Sequence, residues 1–310
     1  MGRKRAQVLP IADLGEDSGD RQFVSGLAKG LTLLRFLTKG EVLGTTDLAR
    51  LSGLPNASVS RLCYTLTNLG YLEYLPEAGK YRLGDACLSL GYLYMASDLV
   101  SHIARPLMTE LAAFSRVPIC IARRHELSMR YIARESTDDQ LSLRLEVGSV
   151  VPIERTAMGH AYLAGLDDEK RQEMLDQLGS KVPDMDSFRR QIDDNINLFS
   201  KKGFCIANRM WMKHIRAVAV PLRMRDSGNV VAFNCGGIAD YLEPAFLMNE
   251  VGPRLVALVR EVEKILESQS QPPSQIETFQ SELQEELIPK SQTVAKKQTV
   301  ARKQVAKDQL

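Results

Sequence analysis

Arg61 is the residue in this chain best placed for specific chemistry. With Ala57, Ser60, Tyr64 and Asn68 it occupies one side of a segment whose other side carries Val59, Leu62, Leu66 and Leu69. Those apolar residues recur at helical spacing, as one stripe. A guanidinium can bond both acceptors on a guanine edge and an Asn amide can do the same with adenine. A small, polar helix face with one arginine near its start therefore suits a DNA major groove. Asn56 and Ser58 open the same segment. Further on, Lys80 and Arg82 are cations of the kind that meet phosphates, giving affinity without sequence information. A second chemistry belongs to Arg155-Thr156-Ala157-Met158-Gly159, a loop that runs into a helix. The start of such a helix aims unpaired backbone N–H groups and a positive dipole end at whatever sits there, which suits a carboxylate. Thr156 can cap that helix or donate to the ligand.

The elements that must hold the first set can be read around it. Thr46 is the expected N-cap of a short helix, with Asp47 near its positive end and Leu48 and Leu51 on one face; Gly53 ends it. Pro55 suits the first turn of the next helix, where no backbone donor is lost. Upstream, Leu27, Leu31, Leu34 and Leu37 predict the remaining helix of a three-helix core. Downstream, strand-like runs Tyr71 to Leu75 and Lys80 to Leu83 flank the turn-forming Pro76-Glu77-Ala78-Gly79. Helix, turn, helix and β-ribbon is the layout of a winged helix-turn-helix, and it points to DNA.

Beyond it, a helical segment from Asp85 to about Leu99 would connect to a second helix through Ile103, Leu107 and Leu111. The pattern then alternates. Strands are expected at Ile119 to Ala122, Met129 to Arg134 and Leu141 to Glu146, the last with leucines alternating against polar residues. Helices follow at Ala157 to Ala164, Asp168 to Leu178 and Ser187 to Lys201. A strand at Phe204 to Asn208, the hairpin Ala217 to Leu222 with Val230 to Asn234 joined across residues 225 to 229, and a closing helix through Leu255 to Leu266 complete the expected set. The class expected is α/β of the α+β kind: a twisted, largely antiparallel sheet with flanking helices behind an N-terminal winged helix-turn-helix.

The run Val24 to Leu34, then Leu48-Ala49 through Ser58-Val59-Ser60-Arg61-Leu62, Leu69-Gly70-Tyr71-Leu72 and Tyr81-Arg82-Leu83-Gly84, resembles the DNA-binding half of the IclR family of bacterial transcriptional regulators. Leu145-Glu146-Val147-Gly148, Thr156 to Ala164, Gly203-Phe204, Ile215 to Pro221 and Phe233-Asn234 match the same family's effector half in the same order. The likeness spans residues 24 to 266. It implies a GAF-like sensor fold with a pocket formed by Thr156, Ala157 and Met158 together with Asn208, Ala217, Asn234 and Gly236. Met158 and Phe233 would supply an apolar wall. This chain departs from many relatives by carrying Arg209-Met210-Trp211-Met212-Lys213-His214 where they have acidic residues and a glycine. That makes one pocket edge cationic and aromatic, suited to an aromatic or larger carboxylate rather than a two-carbon oxoacid.

Composition agrees. With 310 residues, 44% of them hydrophobic, the chain can bury two ordinary cores, and a formal charge of +2 leaves DNA binding to local clusters and to pairing of subunits. No apolar run approaches the roughly eighteen residues of a membrane helix and no signal segment follows Met1, so a cytoplasmic protein without membrane contact is expected. The five cysteines and four histidines form no zinc or HExxH pattern, and neither a metal nor a cofactor is expected. No nucleophile elbow, phosphate loop or paired-carboxylate motif supports an enzyme on the sensor domain. A purely architectural DNA-binding protein would leave the sensor half without a task. The expected organisation is an arm (1–23, with Arg3-Lys4-Arg5), a winged helix-turn-helix (24–84), a linker helix (85–99), an effector domain (100–267) and a disordered basic tail (268–310). The expected partners are double-stranded operator DNA, a small carboxylic acid, aromatic or not, and a second copy of the chain in a homodimer or a dimer of dimers.

Overall fold

The computed structural model describes residues 22–37, 40–137, 145–179, 182–225 and 227–269. Residues 1–21 of the expected arm, residues 270–310 of the expected basic tail and most of the strand expected at Leu141 to Glu146 lie outside the described residues.

Helices α1 (Ser25–Leu34), α2 (Thr45–Ser52) and α3 (Asn56–Asn68) enclose a small core of Leu33, Leu37, Leu48, Val59, Cys63, Leu66 and Leu72. Two details differ from the periodicity. In α1 the buried positions are Gly30 and Leu33, while Leu27 and Leu31 of the expected stripe face solvent and its Leu37 is buried just beyond the helix; in α3 Cys63 takes the inward place expected of Leu69, which is exposed. Leucine spacing alone located a stripe but not which of two adjacent faces is covered. The N-cap of α2 is Gly44, whose N–H donates to Asp47 Oδ2 at 3.2 Å, so Thr46 sits exposed in the first turn rather than capping. Pro55 is the N-cap of α3 rather than its first residue. Gly53 closes α2 at φ 71°, a left-handed conformation that an L side chain rarely adopts and that reverses the chain tightly into α3.

Strands β1 (Leu72–Leu75) and β2 (Lys80–Leu83) pair antiparallel around residues 76–79 to make the wing. Helix α4 (Asp85–Ala96) has no buried residue, and α5 (Leu99–Ser115) follows it. The second core is built on a six-stranded sheet of order β5-β4-β3-β8-β7-β6 with every neighbouring pair antiparallel. Its strands are β3 (Ile119–His125), β4 (Ser128–Glu135), β5 (Val150–Pro152), β6 (Cys205–Asn208), β7 (Ile215–Arg223) and β8 (Val230–Ile238). Seven of the eight residues of helix α6 (Ala157–Ala164), Ala157 to Leu163, are buried, His160 among them. A helix covered on every side lies inside a core, and this one packs between the sheet and α8 (Met185–Lys202), with α7 (Asp168–Leu178) beside it. A closing helix spans Gly252–Gln269. No helix among the described residues is long and apolar enough to cross a membrane.

Candidate functional site

On α3, Asn56, Ala57, Ser58, Ser60, Arg61 and Tyr64 are all exposed, opposite the buried Val59, Cys63 and Leu66. Among the described residues no ion pair engages Arg61, so its guanidinium is available at the helix surface. Asn68, by contrast, donates from Nδ2 to the Tyr64 carbonyl at 2.9 Å and is spent on its own helix.

The wing carries a correction. Glu73 and Arg82 are direct cross-strand partners, and Arg82 donates from Nε and Nη2 to both Glu73 oxygens at 2.8 and 2.9 Å. The bond from Arg82 holds the Glu73 carboxyl below its ordinary range. Arg82, expected as a phosphate contact, is thus engaged by a carboxylate that strand register sets against it. Lys80, at the start of β2, has no ion pair among the described residues and remains the wing's available cation.

The second site is an open-mouthed cavity between the start of α6 and the sheet. Of the residues expected there, Thr156, Ala157, Met158, Ala217, Asn234 and Gly236 line it. Asn208 does not. Successive strand residues face opposite sides, so on β6 Ala207 points into the cavity while exposed Asn208 accepts from Arg216 Nε at 2.9 Å. Arg216 is itself buried and also donates from Nη1 to the carbonyls of Ala239, at 2.8 Å, and Leu242. Phe233, one residue before Asn234 on β8, is turned away for the same reason and lies outside the lining.

Thr156 resolves its two expected roles in favour of capping. Its hydroxyl accepts from Gly159 N–H at 3.1 Å and donates to the Pro152 carbonyl at 2.7 Å, which leaves no proton for a ligand. The N–H groups of Ala157 and Met158 come ahead of the first helical bond, and both residues line the cavity. Gly159 permits this placement: a Cβ there would come within 2.1 Å of the Ile153 carbonyl oxygen. Arg134 and Arg155 also line it, Arg155 paired with Glu154 at 3.7 Å, together with the apolar and aromatic Met210, Trp211, Leu145 and Ile215. Trp211 was the sequence's hint of this lining. Tyr131, Cys120 and Arg134, on strands whose phase the sequence does not reveal, were missed.

Behind the cavity lies a buried polar link. The His160 ring bonds the Glu154 carbonyl through Nε2 at 3.1 Å and Asn195 Nδ2 through Nδ1 at 2.9 Å, while Asn195 Oδ1 accepts from Ile206 N–H at 2.7 Å. Because the Asn195 amide nitrogen can only donate, the imidazole proton belongs on Nε2. α6, α8 and β6 are tied together by one satisfied network. Burial pushes the His160 pKa down to about 4, against a smaller opposing effect of the Glu154 bond. Unfolded, the ring titrates near its ordinary value of about 6.5. The unfolded chain therefore binds the extra proton first, so stability is full above about pH 6.5 and falls towards pH 4, by up to about 3 kcal/mol. Urea unfolding across that window should show this slope in the wild type and a flatter one in His160→Gln. Equal slopes would mean that the ring does not control it.

The chain's relatives agree with this architecture. Residues 26–76 match the family model described as the IclR helix-turn-helix domain, and residues 93–243 match the one described as bacterial transcriptional regulator IclR C-terminal. The crystal structure of an IclR family transcriptional regulator from Brucella abortus is 33% identical, with a TM-score of 0.71 over 84% of this chain and 99% of that one. The HTH-type transcriptional regulator TsaQ1/TsaQ2 of Comamonas testosteroni is 28% identical over 77% of this chain and 87% of its own length. The p-hydroxybenzoate hydroxylase transcriptional activator of Acinetobacter baylyi is 24% identical over 84% of this chain and 98% of its own.

Proposed function

The chain belongs to the IclR family of bacterial transcriptional regulators, and from that membership we propose that its effector is a small aromatic carboxylate and that it binds a palindromic operator as a homodimer, alone or paired into a dimer of dimers. It is an effector-controlled, DNA-binding regulator. The observation that carries the ligand class is the open start of α6. Ala157 and Met158, whose N–H groups precede the first helical bond, line the same cavity as Arg134, Arg155 and Trp211. Amide donors and guanidinium charge suit a carboxylate, and an indole face suits a ring. The name of the Acinetobacter relative, an activator of a hydroxybenzoate-metabolising enzyme, supports the same class. Relatives named as regulators also support a role without catalysis, in the cytoplasm where operator DNA lies.

Pairing of subunits is supported by information content and by surface. One winged helix reads too few base pairs to select a site in a genome, and symmetric dimers double that number. Leu88, at 75% exposed, Tyr92, Leu93 and Tyr94 on α4, with Leu27 on α1, expose apolar area that a monomer would leave in water. On this reading the α4 surface joins two copies and spaces their α3 helices.

The pocket has a physical route to that linker. Strand β3 carries Cys120 in the cavity and, three residues on, Arg123, which pairs with buried Asp98 at the junction of α4 and α5. Ser101 donates to the same carboxylate. A ligand that shifts β3 would shift this elbow. Selection of random DNA fragments by the full chain tests the reading. An enriched sequence with two inverted half-sites is expected, and enrichment without sequence preference contradicts it.

A further inference from the structure

Two residues of the cavity lining sit on a connection rather than on a regular element. Met210 and Trp211 line the cavity and pack, half-buried, against its core, yet they belong to residues 209–214 between β6 and β7. Among the described residues neither makes a hydrogen bond.

The chain enters this connection through an uncommon backbone conformation. Arg209 has φ 58°, in the left-handed region that side chains disfavour. Two other non-glycine residues among those described share it. Arg116 caps the end of α5 and Glu126 sits in the two-residue turn between β3 and β4, both places where a chain reversal calls for it. Arg209 instead directly follows a strand, and a residue stays in such a conformation only where its surroundings hold it. Three bonds do so. The Arg209 N–H donates to the Ile215 carbonyl at 2.8 Å, and its guanidinium donates to the Lys213 carbonyl at 2.8 Å and to Asp240 Oδ1 at 2.6 Å. Of these, only the Asp240 bond reaches beyond the hairpin, to the turn that follows β8.

That bond is a weak latch. The side chains of Arg209 and Asp240 are 45% and 70% exposed, and an ion pair so open to water contributes little and is screened by salt. Left-handed strain at Arg209 works against it. With the pair broken, Arg209 can relax towards an ordinary φ, which redirects Met210 and Trp211 away from the cavity. The far end of the connection stays pinned, because the His214 carbonyl accepts from Ala239 N–H at 2.8 Å. One strained residue is thus a hinge for two residues of the wall.

We propose that residues 209–214 are a strap over the cavity, latched by Arg209 to Asp240, and that molecules enter and leave the cavity when the latch releases. The strap acts on whatever ligand the cavity takes, so it shares with the carboxylate reading only the cavity itself.

The chain carries probes of both events. Trp211 is its only tryptophan, and Cys120, buried in the cavity lining, meets a thiol reagent only when the reagent gets in. Cys235 is as deeply buried but lies outside the lining, which makes it the control. Acrylamide quenching of Trp211 and peptide-resolved iodoacetamide labelling of Cys120 and Cys235, on the full ligand-free chain as wild type and as Asp240→Ala, are the test. In the variant Trp211 should be quenched more readily and Cys120 labelled about two- to fivefold faster, the range expected for release of an exposed ion pair, with Cys235 unchanged. Added salt should speed wild-type labelling towards the variant and leave the variant as it is. Equal Cys120 rates in the two proteins, or easier quenching without faster labelling, would overturn the strap. Cys235 accelerating in step with Cys120 would overturn it too, since that is a general loosening. No carboxylate is used, so such a failure leaves the proposed effector class standing, and a cavity that takes no aromatic acid would leave the latch standing.

Discussion

Ala217→Leu is expected to remove the response to effector while leaving the ligand-free protein bound to its operator. Ala217 sits on β7 opposite Gly236 of β8, and both line the cavity, so the space there exists because two neighbouring strands present almost no side chain. Leucine at 217 would project its added carbons into that space. The ligand would then have to displace packed atoms, and overpacking of this kind costs about 1–3 kcal/mol, roughly a 5- to 150-fold loss of affinity. Calorimetry with a hydroxybenzoate and operator titration without it would check the two halves of the expectation. Undiminished acid binding would move the site away from this cavity. Ala217 is a better probe than Met158, which is 1% exposed. A charged replacement at Met158 would bury a guanidinium and confuse loss of folding with loss of binding.

Arg61→Ala should lower operator affinity by about 1–3 kcal/mol and relax base preference at one position of each half-site. The side chain is exposed on α3 and no ion pair among the described residues holds it, so its removal leaves the core of Leu33, Val59 and Cys63 untouched. Binding to unrelated DNA should change far less. Fluorescence anisotropy at fixed salt separates these outcomes, and an equal loss on both DNAs would make Arg61 a phosphate contact and move base reading elsewhere on α3.

Where one element carried its own signal, the sequence was legible. α6 reads as Ala157 to Ala164 because Thr156 before it is a capping residue and all within it but His160 and Tyr162 is apolar or glycine, and the structure has the same ends. Gly53 and the turn at 76–79 likewise announced the reversals that define the winged helix. What could not be read depended on partners distant in sequence. Glu73 neutralises Arg82 only because the wing's register sets them opposite. His160 finds Asn195 on another helix, 35 residues away. Strand phase was the other gap. Ala207 rather than Asn208 faces the cavity, and Tyr131 and Arg134 share it only through a bulge that leaves no mark on the local composition.

The most direct test of the central claim, that the cavity controls DNA binding, is reciprocal linkage. Operator affinity should be measured by anisotropy with and without saturating hydroxybenzoate, and hydroxybenzoate affinity by calorimetry with and without operator. If the acid favours one arrangement of the paired winged helices, the two ratios must be equal and different from one, commonly about 5- to 150-fold for coupled sites. Acid binding that leaves operator affinity unchanged, with operator likewise leaving acid affinity unchanged, would contradict the account.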